Sequence, residues 1–206
     1  MIEKKQEIIC KIKEYRARSF DSLISNTICE SDILNHIHLE NGAQPPKEQH
    51  IYEFKDGYVR FVQNRDYDSD SHMTYIPISK KNHLCTKTDI MIDKYGDAGA
   101  VRYGIEGAFN VALLKIIPNK EYETEFIRDF LSQEKIKNIL YLSSQASTRP
   151  SLNESTFTAL KMPILDEDML KSYQNKMTKF LEISIKIQNE LTKLKQIKAN
   201  LLSKYF

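Results

Sequence analysis

Apolar and polar positions divide this chain into three kinds of sequence. At the start, Ile8, Ile9, Ile12 and Tyr15 recur among charges and predict an amphipathic helix over 1–18, with Ser19 or Asp21 to end it. From residue 21 to 165 the apolar runs are short and broken by glycine, proline and polar clusters, the mark of a mixed domain rich in strands. Asp56-Gly57 reads as a hairpin turn between strands over 51–55 and 58–63. Residues 64–71 read as an exposed loop, 75–79 as a strand whose Pro77 marks an edge or end, and 89–93 as another strand. The run 111–117 is strongly apolar, 123–142 has helical spacing, 143–153 is a polar loop, and 160–165 is a closing strand.

After Pro163 neither proline nor glycine occurs. Leu170, Tyr173, Met177, Phe180, Ile187, Leu191, Leu194 and Leu201 follow spacings of three and four, with Ser184 and Lys198 as the interruptions. This heptad pattern predicts a long coiled-coil helix over 166–206 that pairs with another long helix. The alternative is an amphipathic helix laid on its own domain, since Met169, Ile183 and Ile197 widen the stripe. The fold class expected is α+β: an N-terminal helix (1–20), a β-rich domain (21–165) and the terminal helix.

The densest local signal is Lys94-Tyr95-Gly96-Asp97-Ala98-Gly99-Ala100-Val101-Arg102. It predicts a strand, a glycine turn and a return strand, then a second glycine turn before Gly107-Ala108-Phe109-Asn110. Lys94, Tyr95 and Arg102 place cationic and aromatic groups at the tip. Such a tip suits phosphate and base edges better than catalysis, and Arg102 has the fork to clamp a phosphate or pair with guanine. In the polar loop, Gln145, Thr148 and Arg149 offer similar contacts. Each of these residues also has a plain surface role open to it, and Asn110 reads as a structural turn residue.

Charge changes the picture only when divided by position. The chain carries +2 overall, but residues 171–206 hold eight lysines against Glu182 and Glu190. That excess is either a solvated helix face or a footprint for an acidic partner. Three cysteines without a C-x-x-C spacing fit a reducing compartment, and the absence of a leader-like or membrane-length apolar run makes a cytoplasmic, membrane-free protein the expectation.

Enzyme patterns fail one by one. His36-x-His38 lacks partners that would complete a metal site, and Asp32, Glu53 and Lys55 make only a chance likeness to a metal-dependent nuclease. No phosphate-binding Walker pattern, nucleophile elbow or dinucleotide fingerprint is present. No catalytic or metal-ligating residue is nominated.

The order of Gly42-Ala-Gln-Pro45-Pro46, Lys94-Tyr-Gly-Asp-Ala-Gly99, Gly107-Ala-Phe-Asn110, Gln145-Ala-Ser-Thr-Arg149-Pro150 and Met162-Pro163, ahead of a long helix, resembles the type I restriction-modification specificity (S) subunits. The resemblance spans about residues 33–206, in a half-sized form with one target recognition domain. It implies a non-catalytic subunit that reads one half of a split double-stranded DNA site and pairs through its terminal helix, as a homodimer or with another half-subunit. It also implies a methyltransferase subunit, on which S-adenosylmethionine would sit, and in some systems a restriction subunit. This chain itself would hold no cofactor. A scaffold protein that assembles partners without reading DNA is the alternative.

Overall fold

Phe20, Phe126, Leu131, Leu140, Phe157 and Met177 come from five helices and meet in one core, so the helices and the domain they flank form a single packed body. In a computed structural model of the chain, residues 1–69, 72–145 and 150–205 are described, with side chains as far as 203. Helix α1 (Ile2–Ile24) leads to β1 (Glu30–Asp32), β2 (Ile37–Asn41), β3 (Tyr58–Val62), β4 (Tyr75–Pro77), β5 (Leu84–Cys85), β6 (Ile90–Asp93), β7 (Val101–Arg102), β8 (Gly107–Phe109) and β9 (Leu113–Pro118). Helices α2 (Thr124–Leu131), α3 (Glu134–Ser144) and α4 (Glu154–Phe157), strand β10 (Lys161–Pro163) and helix α5 (Glu167–Tyr205) complete it. The architecture is α+β.

Two four-stranded sheets, ordered β2-β9-β6-β7 and β4-β3-β8-β5, share a middle layer of side chains. Alternation along β6 and β9 explains how. Ile90, Ile92, Leu114 and Ile116 face the helices, while Met91 and Leu113 face the second sheet with Val62, Cys85 and Phe109. The second sheet is antiparallel except for β3 against β8. A two-stranded ribbon of β1 and β10, with Glu30 opposite Pro163, joins the domain to its helices.

The glycine hairpin forms as its spacing predicts, Met91 facing Arg102 and Ile92 facing Val101. Three expectations change. The turn at Asp56-Gly57 is present, with Gly57 at φ +83°, but residues 51–55 do not pair with β3. The edge they would use is taken by β4, leaving Ile51 one bridge to Tyr75 and Tyr52 and Phe54 in solvent. Residues 64–67 are a 3₁₀ turn that buries Asp66 rather than an open loop. The helix foreseen over 123–142 is two helices, broken at Ser132-Gln133.

Helix α1 extends six residues beyond residue 18 and buries Ile12, Arg16 and Phe20, while Ile8 and Tyr15 stay exposed. It runs antiparallel to α5: Lys5 pairs with Glu190, and the Tyr15 ring packs on Phe180 at 4.8 Å between centroids, tilted by 44°. The seam of α5 is therefore spent within the chain over most of its length. Leu170, Tyr173 and Met177 enter the core, and Ile187 and Leu191 are also buried. The β7–β8 turn also presses on α5, so closely that a Cβ at Gly104 would lie 2.7 Å from Gln188 Oε1.

Arg16 is the residue whose burial no periodicity foretells. Its Nε donates to Asp129 Oδ1 at 2.8 Å, Nη2 to Glu125 Oε2 at 2.7 Å and Nη1 to the Met177 carbonyl at 2.9 Å. Tyr173 donates to the other Asp129 oxygen at 2.6 Å. Burial opposes the guanidinium charge, but Asp129 and Glu125 outweigh it and hold Arg16 above the ordinary arginine range. One side chain thus ties α1, α2 and α5 together.

Candidate nucleic-acid interface

Four connections that are distant in sequence meet along one rim of the domain. The loop after β2 reaches Phe109, whose carbonyl accepts from Ala43 N–H at 3.2 Å. Only glycine fits at 42, since a Cβ there would sit 2.0 Å from the Asn110 carbonyl oxygen. On one side, Phe109 N–H donates to the His83 carbonyl at 2.9 Å, and His83 Nδ1 meets Glu40 at 2.8 Å. On the other, Lys94 is the hub. Its N–H donates to Ala112, its carbonyl accepts from Leu152 N–H at 3.1 Å, and its ammonium donates to Asn41 Oδ1 at 2.8 Å.

The rim therefore runs from the β4–β5 loop, through the Gly42–Pro46 loop, to the glycine turn and the segment after α3. Partial burial draws the Lys94 ammonium below the ordinary lysine range, and the same ammonium lies 5.9 Å from the Tyr95 ring centroid. Tyr95 is 40% exposed. Gln145 ends α3 in solvent, whereas Thr148 and Arg149 lie outside the described residues. Asn110 is a turn residue: its Oδ1 accepts from Ala112 N–H at 3.1 Å.

Arg102 points elsewhere. Its Nε and Nη2 donate to Asp93 Oδ2 at 3.0 and 2.7 Å, and Asp68 and Asp97 lie at 3.6 and 3.8 Å. Burial disfavours its charge, yet Asp93 above all holds it higher than an ordinary arginine. Asp93 is itself pushed upward, its burial outweighing the help from Arg102. Asp97 also takes Lys137 at 2.7 Å, which fastens the glycine turn to α3.

Residues that pattern reading did not single out complete the rim. Gln44, Gln49, Lys81, Asn82 and His83 surround a cavity of about 640 Å³ whose floor is Phe61, Ile76, Ala108 and Phe109. Amide, imidazole and ammonium groups over an apolar floor can read hydrogen-bond patterns and a thymine methyl. The run Ser79-Lys80-Lys81-Asn82-His83 was the available signal, but only the fold brings it to the Gly42–Pro46 loop. Among the described residues, no group of three or more His, Cys, Asp or Glu is placed to hold a metal ion, and Asp32 is paired with Lys161.

A family model for the type I restriction modification DNA specificity domain matches residues 28–201. The chain belongs to this family. The specificity domain also shares its fold with solved structures. One is the S subunit of a type I restriction-modification system from M. genitalium, at TM-score 0.68 and 18% identity over 100% of this chain and 56% of that one. Another is the HsdS subunit from Thermoanaerobacter tengcongensis, at TM-score 0.56 and 11% identity, covering 96% and 52%. A third, from work on the assembly and conformational transition of the type I system, gives 0.51 and 12%, covering 98% and 56%. The chain spans about half the length of these relatives, and no curated protein matches it. The S subunits of this family confer specificity and are not catalytic.

Proposed function

We propose that this chain is a specificity subunit's target recognition domain with its long helix, and that it reads one half of a split double-stranded DNA site. Its rim lies over the groove, with phosphate contacts setting register and amide, imidazole and tyrosine groups reading bases. Two copies, or this chain and another half-subunit, hold two rims apart, so a homodimer reads an interrupted palindrome. A 39-residue α5 is about 58 Å long, enough to separate two half-sites by a turn of DNA or more. A separate methyltransferase subunit supplies S-adenosylmethionine and the chemistry, a restriction subunit supplies cleavage where one exists, and the complex works in the cytoplasm.

The observation that supports this reading best is the rim itself: four distant connections locked together by backbone hydrogen bonds, on a specificity-domain fold, presenting polar groups outward. The test is to express the chain with its methyltransferase subunit in a host free of adenine methylation, and to map modified bases across the genome. A single two-part motif with a fixed gap is expected. Methylation without a motif, or none, would leave a scaffold role instead.

A further inference from the structure

The second sheet carries a hollow on its outer face. Val62 and Phe109 turn towards the first sheet, so by alternation Phe61 and Ala108, with Ile76 beside them, turn away from it. Residues 42–51 cross that face as a roof pinned at both ends. Gly42 lies against the Asn110 carbonyl, and Ile51 exchanges two backbone hydrogen bonds with Tyr75, at 3.0 and 2.8 Å. Between roof and floor is the cavity of about 640 Å³, held open before any ligand arrives.

Its chemistry suits a neutral ring better than a phosphate. Among the described lining residues Lys81 alone carries a full charge beside His83, which Glu40 holds, and Lys47 and Glu48 in the roof offset one another. Gln44 and Gln49, which bracket Pro45 and Pro46, make no side-chain hydrogen bond to a described residue. Asn82 Nδ2 donates to the Pro77 carbonyl at 3.1 Å, which leaves its amide oxygen open. At the floor, the His50 ring tilts over Phe61 at 5.2 Å between centroids, and its Nε2 is buried with no partner among the described residues. Apolar walls with open donors and acceptors between them meet the needs of an unstacked base, which has faces to cover and an edge to hydrogen-bond.

We propose that this hollow receives a thymine displaced from the duplex, the one left unpaired when the methyltransferase subunit turns its target adenine out. This rests on the reading of the rim as the DNA interface and gives one part of it a ligand. A methyltransferase cannot reach its atom inside a stacked helix, so the target base leaves, and the base opposite loses its pair. Moving that orphan aside breaks no further base pair. Its 5-methyl matches the apolar floor, its two carbonyl oxygens match amide donors, and its N3–H matches an amide oxygen. Exposed Lys81 remains for the phosphate of the displaced nucleotide. Holding the orphan keeps the target from re-pairing, so the reader domain helps to keep the duplex open.

The test is a cycle on the specific duplex, using the chain in complex with its methyltransferase subunit and the demethylated product of the cofactor. Methylation mapping names the base opposite the target, and a second duplex carries an abasic site there. Ala43→Phe fills the hollow from its roof, and Gln44→Ala with Gln49→Ala removes both amides from exposed positions where folding is not at stake. Each variant is expected to bind the intact duplex about tenfold more weakly than the parent, and the abasic duplex as tightly as the parent does. An equal loss on both duplexes means that the changes disturb the rim in general, and overturns the hollow while DNA reading stands. Full-strength binding of the intact duplex by both variants overturns it as well. A parent with no preference for the mapped duplex over an unrelated one removes the reading of the rim too.

Discussion

Arg102 shows how little a side chain's type says about its duty. At the tip of a glycine hairpin it has the chemistry to meet a phosphate, but in the fold it answers Asp93, which is 2% exposed, whose Oδ2 takes both Arg102 bonds and whose buried Oδ1 accepts none. Arg102→Ala is expected to lower unfolding stability by about 1–3 kcal/mol, because the carboxylate would stay buried with its bonds unmade. The loss should depend on pH in a definite sense. Asp93 titrates above its ordinary value in the fold, so the folded state binds a proton more readily and its stability falls as pH rises through that window. The deficit should be small in acid, where Asp93 is neutral, and full near neutrality. Urea titrations at two pH values measure it, and an equal deficit at both would contradict this account.

At the scale of elements, what was legible in sequence was whatever short-range periodicity decides. The hairpin of β6 and β7 and the length of α5 follow from glycine placement and three-four spacing. Periodicity gives a face and not a partner, and so the seam of α5 could not reveal that α1 occupies much of it. The missing pairing of residues 51–55 has the same cause, since competition from β4 is a long-range event. Arg16 was illegible because a charge in an amphipathic helix reads as solvent-facing until Glu125 and Asp129 arrive from a segment more than a hundred residues away. Arg16→Ala is expected to cost about 3 kcal/mol, since it removes the cation shared by two buried carboxylates and leaves Glu125 only Arg128 and Asp129 only Tyr173, whereas replacing exposed Lys4 should cost next to nothing. Thermal or urea unfolding of both variants checks the contrast.

At the scale of the whole molecule, the rim was half visible. Lys94, Tyr95 and the Gly42–Pro46 loop could be nominated from motifs, while His83 joined them only through its bonds to Phe109 and Glu40, and Lys81 and Asn82 only as lining of the shared cavity. If these residues meet the DNA backbone as proposed, Lys81→Ala and Lys94→Ala should each weaken binding of the methyltransferase complex about equally on specific and unrelated duplexes. Each should also reduce the slope of log affinity against log salt by about one. Fluorescence anisotropy over a salt series decides this, and unchanged slopes for both would move the interface off the rim.

The ribbon of β1 and β10 has a consequence for exchange. It pins residue 30 beside residue 163, and Ile164 N–H donates to the Cys29 carbonyl at 2.9 Å, so the polypeptide leaves the helices and comes back to them at one neck. If the rim chooses the sequence as proposed, the choosing part hangs beyond that neck, with α1 and α5 on its near side. A foreign head whose ends fit the same two short strands, and whose underside accepts Tyr173 and Arg16, could be spliced in by two crossovers. New target preference would then arrive in a single genetic event, with the mount left as it was.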